Sequence, residues 1–481
     1  MLSLADYASH DALGLADLVA RREVQPEELV AAALAAVAKV NPELNAVLQT
    51  LPDEAAAAIR AGLPRGPFSG VPFAIKEFVL HARGVRLDMG SRFAQGFVAA
   101  DDTELMARFR RAGLVLVGTT QTPEFAYSPN TESVLHGATH NPWDPTRSAG
   151  GSSGGSGAAV AAGIVPMAYG NDGAGSLRVP GACNGVVGFK PSRDRVSSGP
   201  DNGDLLCGLG CEFALTRSVR DAAALLDAVA GADVGAPGIP APPARPYRAE
   251  IGRPPGRLRI AWSTAPASGA AIDPECVAAV HATVCLLEDL GHELVEDGPR
   301  YDWGAFLEHT HVLFMSATAA AIDALAADLG REPALDNLEA VTLACYLEGK
   351  RFAAVDLLRA LAWGNAVSRE VGRFCAGFDA LLTPTLARPP LPLGELDQNR
   401  AGITAWQWTE KIFAYVCFTG LFNWTGQPAV SLPLHWSAAG LPVGVQLAAR
   451  LGDEATLFRL AAQLEQARPW SNRRPPLHVA R

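Results

Sequence analysis

The 481 residues are 49% hydrophobic and 19% charged, a balance that excludes an intrinsically disordered chain. A formal charge of −10 with no basic block argues against nucleic-acid or membrane-surface partners. No lysine or arginine cluster precedes an apolar run near the N-terminus, and apolar stretches are interrupted before the ~20 residues of a membrane span. The expected setting is cytoplasmic, without a membrane partner.

The first predicted helix starts at Pro26, with Glu27 and Glu28 in its first turn, and carries Leu29, Ala33, Val37 and Val40 at helical spacing. Asn41-Pro42 is expected to stop it. Asn45 to Gln49 reads as a short strand. From Gly66 to about Ser218, β-like runs (Val115 to Val117, Ile164 to Ala168) alternate with Gly/Ser loops and a small-residue helix over Gly157 to Gly163. This is α/β layering. So much glycine in an ordered region implies backbone lying close to a ligand or to another backbone.

Asp221 to Val229 reads as a helix, and the Pro/Gly-rich stretch 231–256 as a surface connection. Leu258 to Trp262 and Glu293 to Val295 read as strands around a helix over Cys276 to Leu290. A helical lobe is expected over about 303–375. Asp379 to Thr383, Ala429 to Leu434 and Val443 to Ala448 read as strands, followed by a helix over Asp453 to Gln466. Strand-like segments on both sides of the connection suit one sheet with an inserted lobe; two domains would suit the composition equally.

Metal and phosphate chemistry find little support. Cys207-x-x-x-Cys211 lacks a second ligand pair, His309-x-His311 lacks a third ligand, and Gly349-Lys350 is followed by Arg351 rather than Ser or Thr. No metal and no cofactor is expected. The eight cysteines are scattered, as reduced buried residues would be.

Lysine is more informative, because only Lys39, Lys76, Lys190, Lys350 and Lys411 occur. Lys76 ends the apolar run Val71 to Ile75. Drawn into the interior it would lose its charge and could act as a base; at a strand end it could instead reach water. The Gly150 to Gly157 loop (GGSSGGSG) carries Ser152 and Ser153. A second Gly-rich segment, Gly170 to Pro180 (GNDGAGSLRVP), carries Ser176.

Together these elements resemble the amidase signature family, with its Ser–cisSer–Lys triad. The resemblance extends over most of the chain: FSGVPFAIKEF (Phe68 to Phe78), TPEF (Thr122 to Phe125), NPWDP (Asn141 to Pro145), GVVGFKPS (Gly185 to Ser192), DALLTPT (Asp379 to Thr385), TGQPAVSLP (Thr425 to Pro433) and GLPVGVQL (Gly440 to Leu447). It implies one α/β domain over 1–481, with a central mixed, twisted sheet flanked by helices, a core signature region at about 66–218 and the additional helical lobe. Within the family, GND at Gly170 to Asp172 and the run through Lys190-Pro191-Ser192 resemble the branch acting on cyclic amide dimers, aryl amides and urethanes.

Carried over residue by residue, the resemblance makes Ser176 the nucleophile, Ser152 the bridging serine after a cis Gly151–Ser152 peptide, and Lys76 the base. Backbone N–H groups of Gly173, Ala174, Gly175 and Ser176 would form the oxyanion hole. Ser153, Asp172 and Arg178 would support the loops. Phe125, Tyr127, Met315, Ser316 and Asn423 would line the substrate pocket. GNDGAGS departs from the commoner GTDxGGS at Asn171 and Ala174; Ala174 can replace glycine as a donor if its φ is negative. The implied activity is hydrolysis of uncharged, fairly apolar amides, carbamates or esters through an acyl-enzyme. The implied partner is a small-molecule amide or carbamate, with a homodimer as one assembly seen among relatives. Two alternatives stand beside it: a protein like the amidase-type component of a glutamyl-tRNA amidotransferase, and a non-catalytic anion-binding protein.

Overall fold

The computed structural model describes residues 2–481 and centres on one eleven-stranded mixed sheet. In chain order its strands are β1 (Val47–Thr50), β2 (Pro72–Lys76), β3 (Val115–Thr120), β4 (Met167–Asp172), β5 (Val187–Lys190), β6 (Cys211–Thr216), β7 (Arg259–Trp262), β8 (Glu293–Glu296), β9 (Ala380–Pro384), β10 (Ala429–Trp436) and β11 (Pro442–Ala449). Across the sheet they run β1-β3-β2-β4-β6-β5-β10-β11-β9-β7-β8. Strands from both sides of the 231–256 connection thus share one sheet. The interior strands β2, β3, β4, β6 and β9 are buried along their whole length, which is why they read as continuous apolar runs rather than alternating ones.

Three boundaries differ from the sequence reading. Helix α1 (Pro26–Leu44) passes through Pro42, because a proline in the last turn interrupts little of the ladder. The stop is instead made by Asn45 in the left-handed region, with the Asn41 side chain accepting from the Ala46 and Val47 N–H groups. Strand β4 begins after Pro166 and ends at Asp172, later than expected. Proline cannot donate to a ladder flanked on both sides, so pairing starts beyond it. The shift carries Asn171 and Asp172 to the strand's end. Helix α2 (Gly154–Ala161) begins earlier than expected, immediately after the serine pair.

Helix α3 (Arg178–Asn184) follows the second Gly-rich segment. The helical lobe comprises α4 (Trp303–Leu329), α5 (Ala340–Gly349) and α6 (Ala354–Cys375), and α7 (Ala405–Tyr415) packs beside it. By composition α4 alone among the described helices is long and apolar enough to cross a membrane. Here it packs against α5, α6 and α7, with Phe306, Leu313 and Met315 in the lobe's core.

Candidate active site

Lys76 closes β2 and is completely buried. Its Nζ donates to Ser152 Oγ at 2.7 Å and to Asn171 Oδ1 at 2.6 Å. Burial pushes the Lys76 amine down to about 7, with the Glu212 and Asp172 charges pulling it back up. A lysine of this kind is neutral through much of the physiological range and can accept a proton.

Ser152 is buried and follows a cis Gly151–Ser152 peptide. A Cβ at Gly151 would lie 2.1 Å from the Asn130 carbonyl oxygen, so only glycine lets this loop approach the 130 segment. The density of glycine read from the sequence thus reflects, here, one backbone against another. Ser153 Oγ donates to the Asn171 carbonyl at 3.3 Å and ties the first Gly-rich loop to β4.

Ser176 sits in the turn between β4 and α3, half-buried, on the same cavity wall as Ser152. Among the described residues no hydrogen bond holds its hydroxyl, and the one bond within the expected triad is Lys76–Ser152. The N–H groups of Gly173, Ala174 and Ser176 have no acceptor there either. Gly175 departs from expectation: its N–H donates to Asp172 Oδ1 at 2.6 Å and is not free for an oxyanion. Its glycine is required by conformation instead, with φ +139° and Thr419 Oγ1 2.6 Å from where a Cβ would stand. Ala174 is not among the positive-φ residues, which meets the condition for it to stand in for glycine.

The turn is held by a buried ion pair. Asp172 accepts from Arg178 Nη2 at 2.9 Å and Nε at 3.0 Å, and from the Leu177 N–H at 3.2 Å. Burial alone would raise this carboxyl; the Arg178 guanidinium outweighs it and holds the group well below the carboxylate range. Arg178 also reaches the Thr419 carbonyl, Gln446 and Asn423. We expect Arg178→Ala to leave Asp172 charged and unpaired in the interior. Thermal or denaturant unfolding should then show a loss of about 3–5 kcal/mol.

The serines open onto a cavity of about 310 Å³. Phe125 and Tyr127 line it as expected. The Tyr127 hydroxyl is bonded to Thr409 at 2.9 Å, so the residue presents its ring rather than a donor. Three expected pocket residues do not line it. Met315 is buried in the lobe's core and Ser316 is turned off the wall, because α4 faces the cavity with Phe314, Ala317, Thr318 and Ala321, spaced as one helical face. Asn423 lies behind the site, where its Nδ2 donates to the Asp172 carbonyl and carboxylate at 2.9 and 3.0 Å. The α4 face was available in the sequence as the i, i+3, i+4, i+7 set starting at Phe314, had that period been applied. His81 and Asn202, also on the wall, had no sequence signal.

One group of described side chains clusters like metal ligands: Glu77, Asp88 and His136, with ligand atoms within 4.8 Å of one another. Glu77 already accepts from Thr119 (2.6 Å), Gln49 (3.2 Å) and the Asp88 N–H (3.2 Å), and Arg86 pairs with Asp88 at 3.2 Å. Glu77 is thus already bonded by protein groups, and the Arg86 cation already balances Asp88.

The amidase family profile matches residues 28–458. The chain is 40% identical to the 6-aminohexanoate-cyclic-dimer hydrolase of Paenarthrobacter ureafaciens, over 97% of this chain and 96% of that one. A solved structure of 6-aminohexanoate cyclic dimer hydrolase superposes with a TM-score of 0.93 at 36% identity, over 98% of this chain and 99% of that one. A glutamyl-tRNA(Gln) amidotransferase component from Thermotoga maritima superposes with 0.74 at 25% identity, over 98% of both chains. The chain belongs to the amidase family.

Proposed function

We propose that this amidase hydrolyses uncharged, largely apolar amides, cyclic amides among them, through an acyl group carried on Ser176. The observation that carries the reading is the buried Lys76 Nζ set 2.7 Å from Ser152 Oγ, beside a Ser176 hydroxyl left unbonded on the same cavity.

Ser176 Oγ attacks the amide carbonyl as its proton passes through Ser152 to Lys76. The oxyanion is received by the unengaged N–H groups of Gly173, Ala174 and Ser176, each such donor being worth about 3 kcal/mol in the transition state. The C–N bond breaks, and the amine leaves with the proton returned from Lys76 through Ser152. Water then repeats the sequence on the acyl-enzyme, giving acid and free Ser176. Carbamates and esters present the same carbonyl and would form the same acyl-enzyme.

The cavity lining supports the substrate class. Phe78, Phe125, Tyr127, Leu206 and Phe314 are apolar walls, and the carboxylate at the cavity, Asp172, is already committed to Arg178. A charged substrate group would be desolvated there without a counter-ion, at a cost of several kcal/mol. Free glutamine, the expected substrate of an amidotransferase component, carries two such charges.

A panel tests this by amine release: the cyclic 6-aminohexanoate dimer, an uncharged anilide, an aryl carbamate and glutamine. The uncharged members should be turned over, with glutamine at least about a hundredfold poorer in kcat/KM. Glutamine as the best substrate would overturn the proposal in favour of the amidotransferase-like reading. The higher TM-score and identity to the stand-alone hydrolase also weigh against that reading.

A further inference from the structure

Lys76 has two acceptors, and the hydrolytic mechanism uses only Ser152. The other, Asn171, begins a buried chain. Asn171 Nδ2 donates to the Phe78 carbonyl at 3.1 Å and to the Tyr169 hydroxyl at 3.3 Å. The Tyr169 hydroxyl in turn donates to Glu212 Oε2. The path follows from strand register. Tyr169 and Asn171 are alternate residues of β4, and Glu212 of β6 lies directly opposite Asn171.

Glu212 is the unusual member. It is a carboxyl group in the middle of the sheet, 2% exposed, with no cationic side chain bonded to it among the described residues. Its second oxygen, Oε1, is buried without any partner. An unsatisfied buried carboxyl oxygen is costly, and packing alone gives no reason to place one there.

We propose that Glu212, acting through Tyr169 and Asn171, is a positioning residue that holds the Lys76 amine against Ser152 and governs when Lys76 takes up a proton. This rests on the assignment of Lys76 as the base. Charged groups face the amine from the neighbouring strands. Glu212 approaches from β6. Asp172 approaches from β4, its charge already balanced by Arg178 on α3, with Lys190 of β5 beyond it. Glu77, next in the chain, is turned toward Thr119 and Gln49. Burial raises the Glu212 carboxyl to about 8, against the Tyr169 hydrogen bond and the Lys76 charge. The two groups therefore take up protons over overlapping ranges, and each favours the charged form of the other. Ionised, it favours the protonated, inactive amine; held neutral, it leaves the amine free to act.

The test reads the rate at which a small fluorophosphonate modifies Ser176, from mildly acidic to alkaline pH. It compares the wild type with Glu212→Gln, Tyr169→Phe and the double variant. Glu212→Gln keeps an acceptor for Tyr169 but cannot ionise. Its acid limb should move to lower pH by about one pH unit, with the alkaline plateau kept within about threefold. Tyr169→Phe removes a hydrogen bond that favours ionised Glu212 and should move the limb the same way by less. The double variant should move no further than Glu212→Gln, because both act through one chain. Limbs that superimpose, a limb moving to higher pH, or a lowered plateau with an unmoved limb would each overturn the proposal, the last reducing Glu212 to a structural residue. A wild type that takes no label at Ser176 would instead bring down the hydrolytic mechanism itself.

Discussion

Exposed to a small fluorophosphonate, the wild type should gain a single covalent adduct by intact mass, and Ser176→Ala should gain none. Amide hydrolysis by the variant should fall by roughly 10³–10⁶-fold, the range found when a serine nucleophile acting within a coupled unit is removed. The physical reason is that nothing else at the cavity can take its place. Ser152, on the same wall, is almost wholly buried and its oxygen accepts from Lys76; it also lies off the turn that presents the N–H groups of Gly173, Ala174 and Ser176. The substitution removes one half-buried hydroxyl that holds up no other group, so unfolding should be unchanged within about 0.5 kcal/mol. An adduct that persists on Ser176→Ala would move the nucleophile elsewhere. An unlabelled wild type, with smaller phosphonates also failing, would leave an amidase fold without this chemistry.

The second large effect belongs to Lys76. Its ordinary value of 10.5 is brought to about 7 chiefly by burial. With the neutral amine as the base of the proposed mechanism, the sign is fixed. Activity should be full above this value and fall by about tenfold per pH unit below it, as protons occupy the amine. A pH profile of kcat/KM on an uncharged amide reads this limb directly, because the substrate does not titrate. Lys76→Met keeps the length of the stem and removes the amine. Its hydrolysis should fall by about 10³-fold or more with no acid limb remaining in the residual rate. Retention of the limb in Lys76→Met would assign the titration to another group, and a limb well below about pH 6 in the wild type would contradict a burial-shifted lysine.

The positions of these residues were legible to different degrees. Lys76 stood out because lysine is scarce in this chain and this one ends an apolar run, which the structure shows to be a fully buried strand. Ser152 and Ser176 stood out because each lies in a Gly-rich segment, the first of them followed by a small-residue helix, α2. Resemblance across the whole chain supplied the connection between them; spacing alone could not, since the three residues come from separate loops and strands. The α/β alternation was likewise written in local pattern, because strands buried on both faces need unbroken apolar runs.

Other features were decided only by tertiary structure. The order of the eleven strands joins segments far apart in the chain, as where β5 meets β10, and no local pattern encodes such a neighbour. Which face of α4 meets the cavity depends on how the helix is rotated against α5, α6 and α7; one residue of register separates Phe314 on the wall from Met315 in the core. Asn423 and Gly175 show the same dependence, each drawn to Asp172 rather than to the substrate side because a buried carboxylate must be satisfied from every direction. Sequence by itself determined the family and the fold class and singled out the candidates for the base and the two serines, because these rest on residue types and local runs. Tertiary structure determined the donor set of the turn, the cavity wall and the link from Glu212 to Lys76, because hydrogen-bond partners and burial exist only once distant strands are brought side by side.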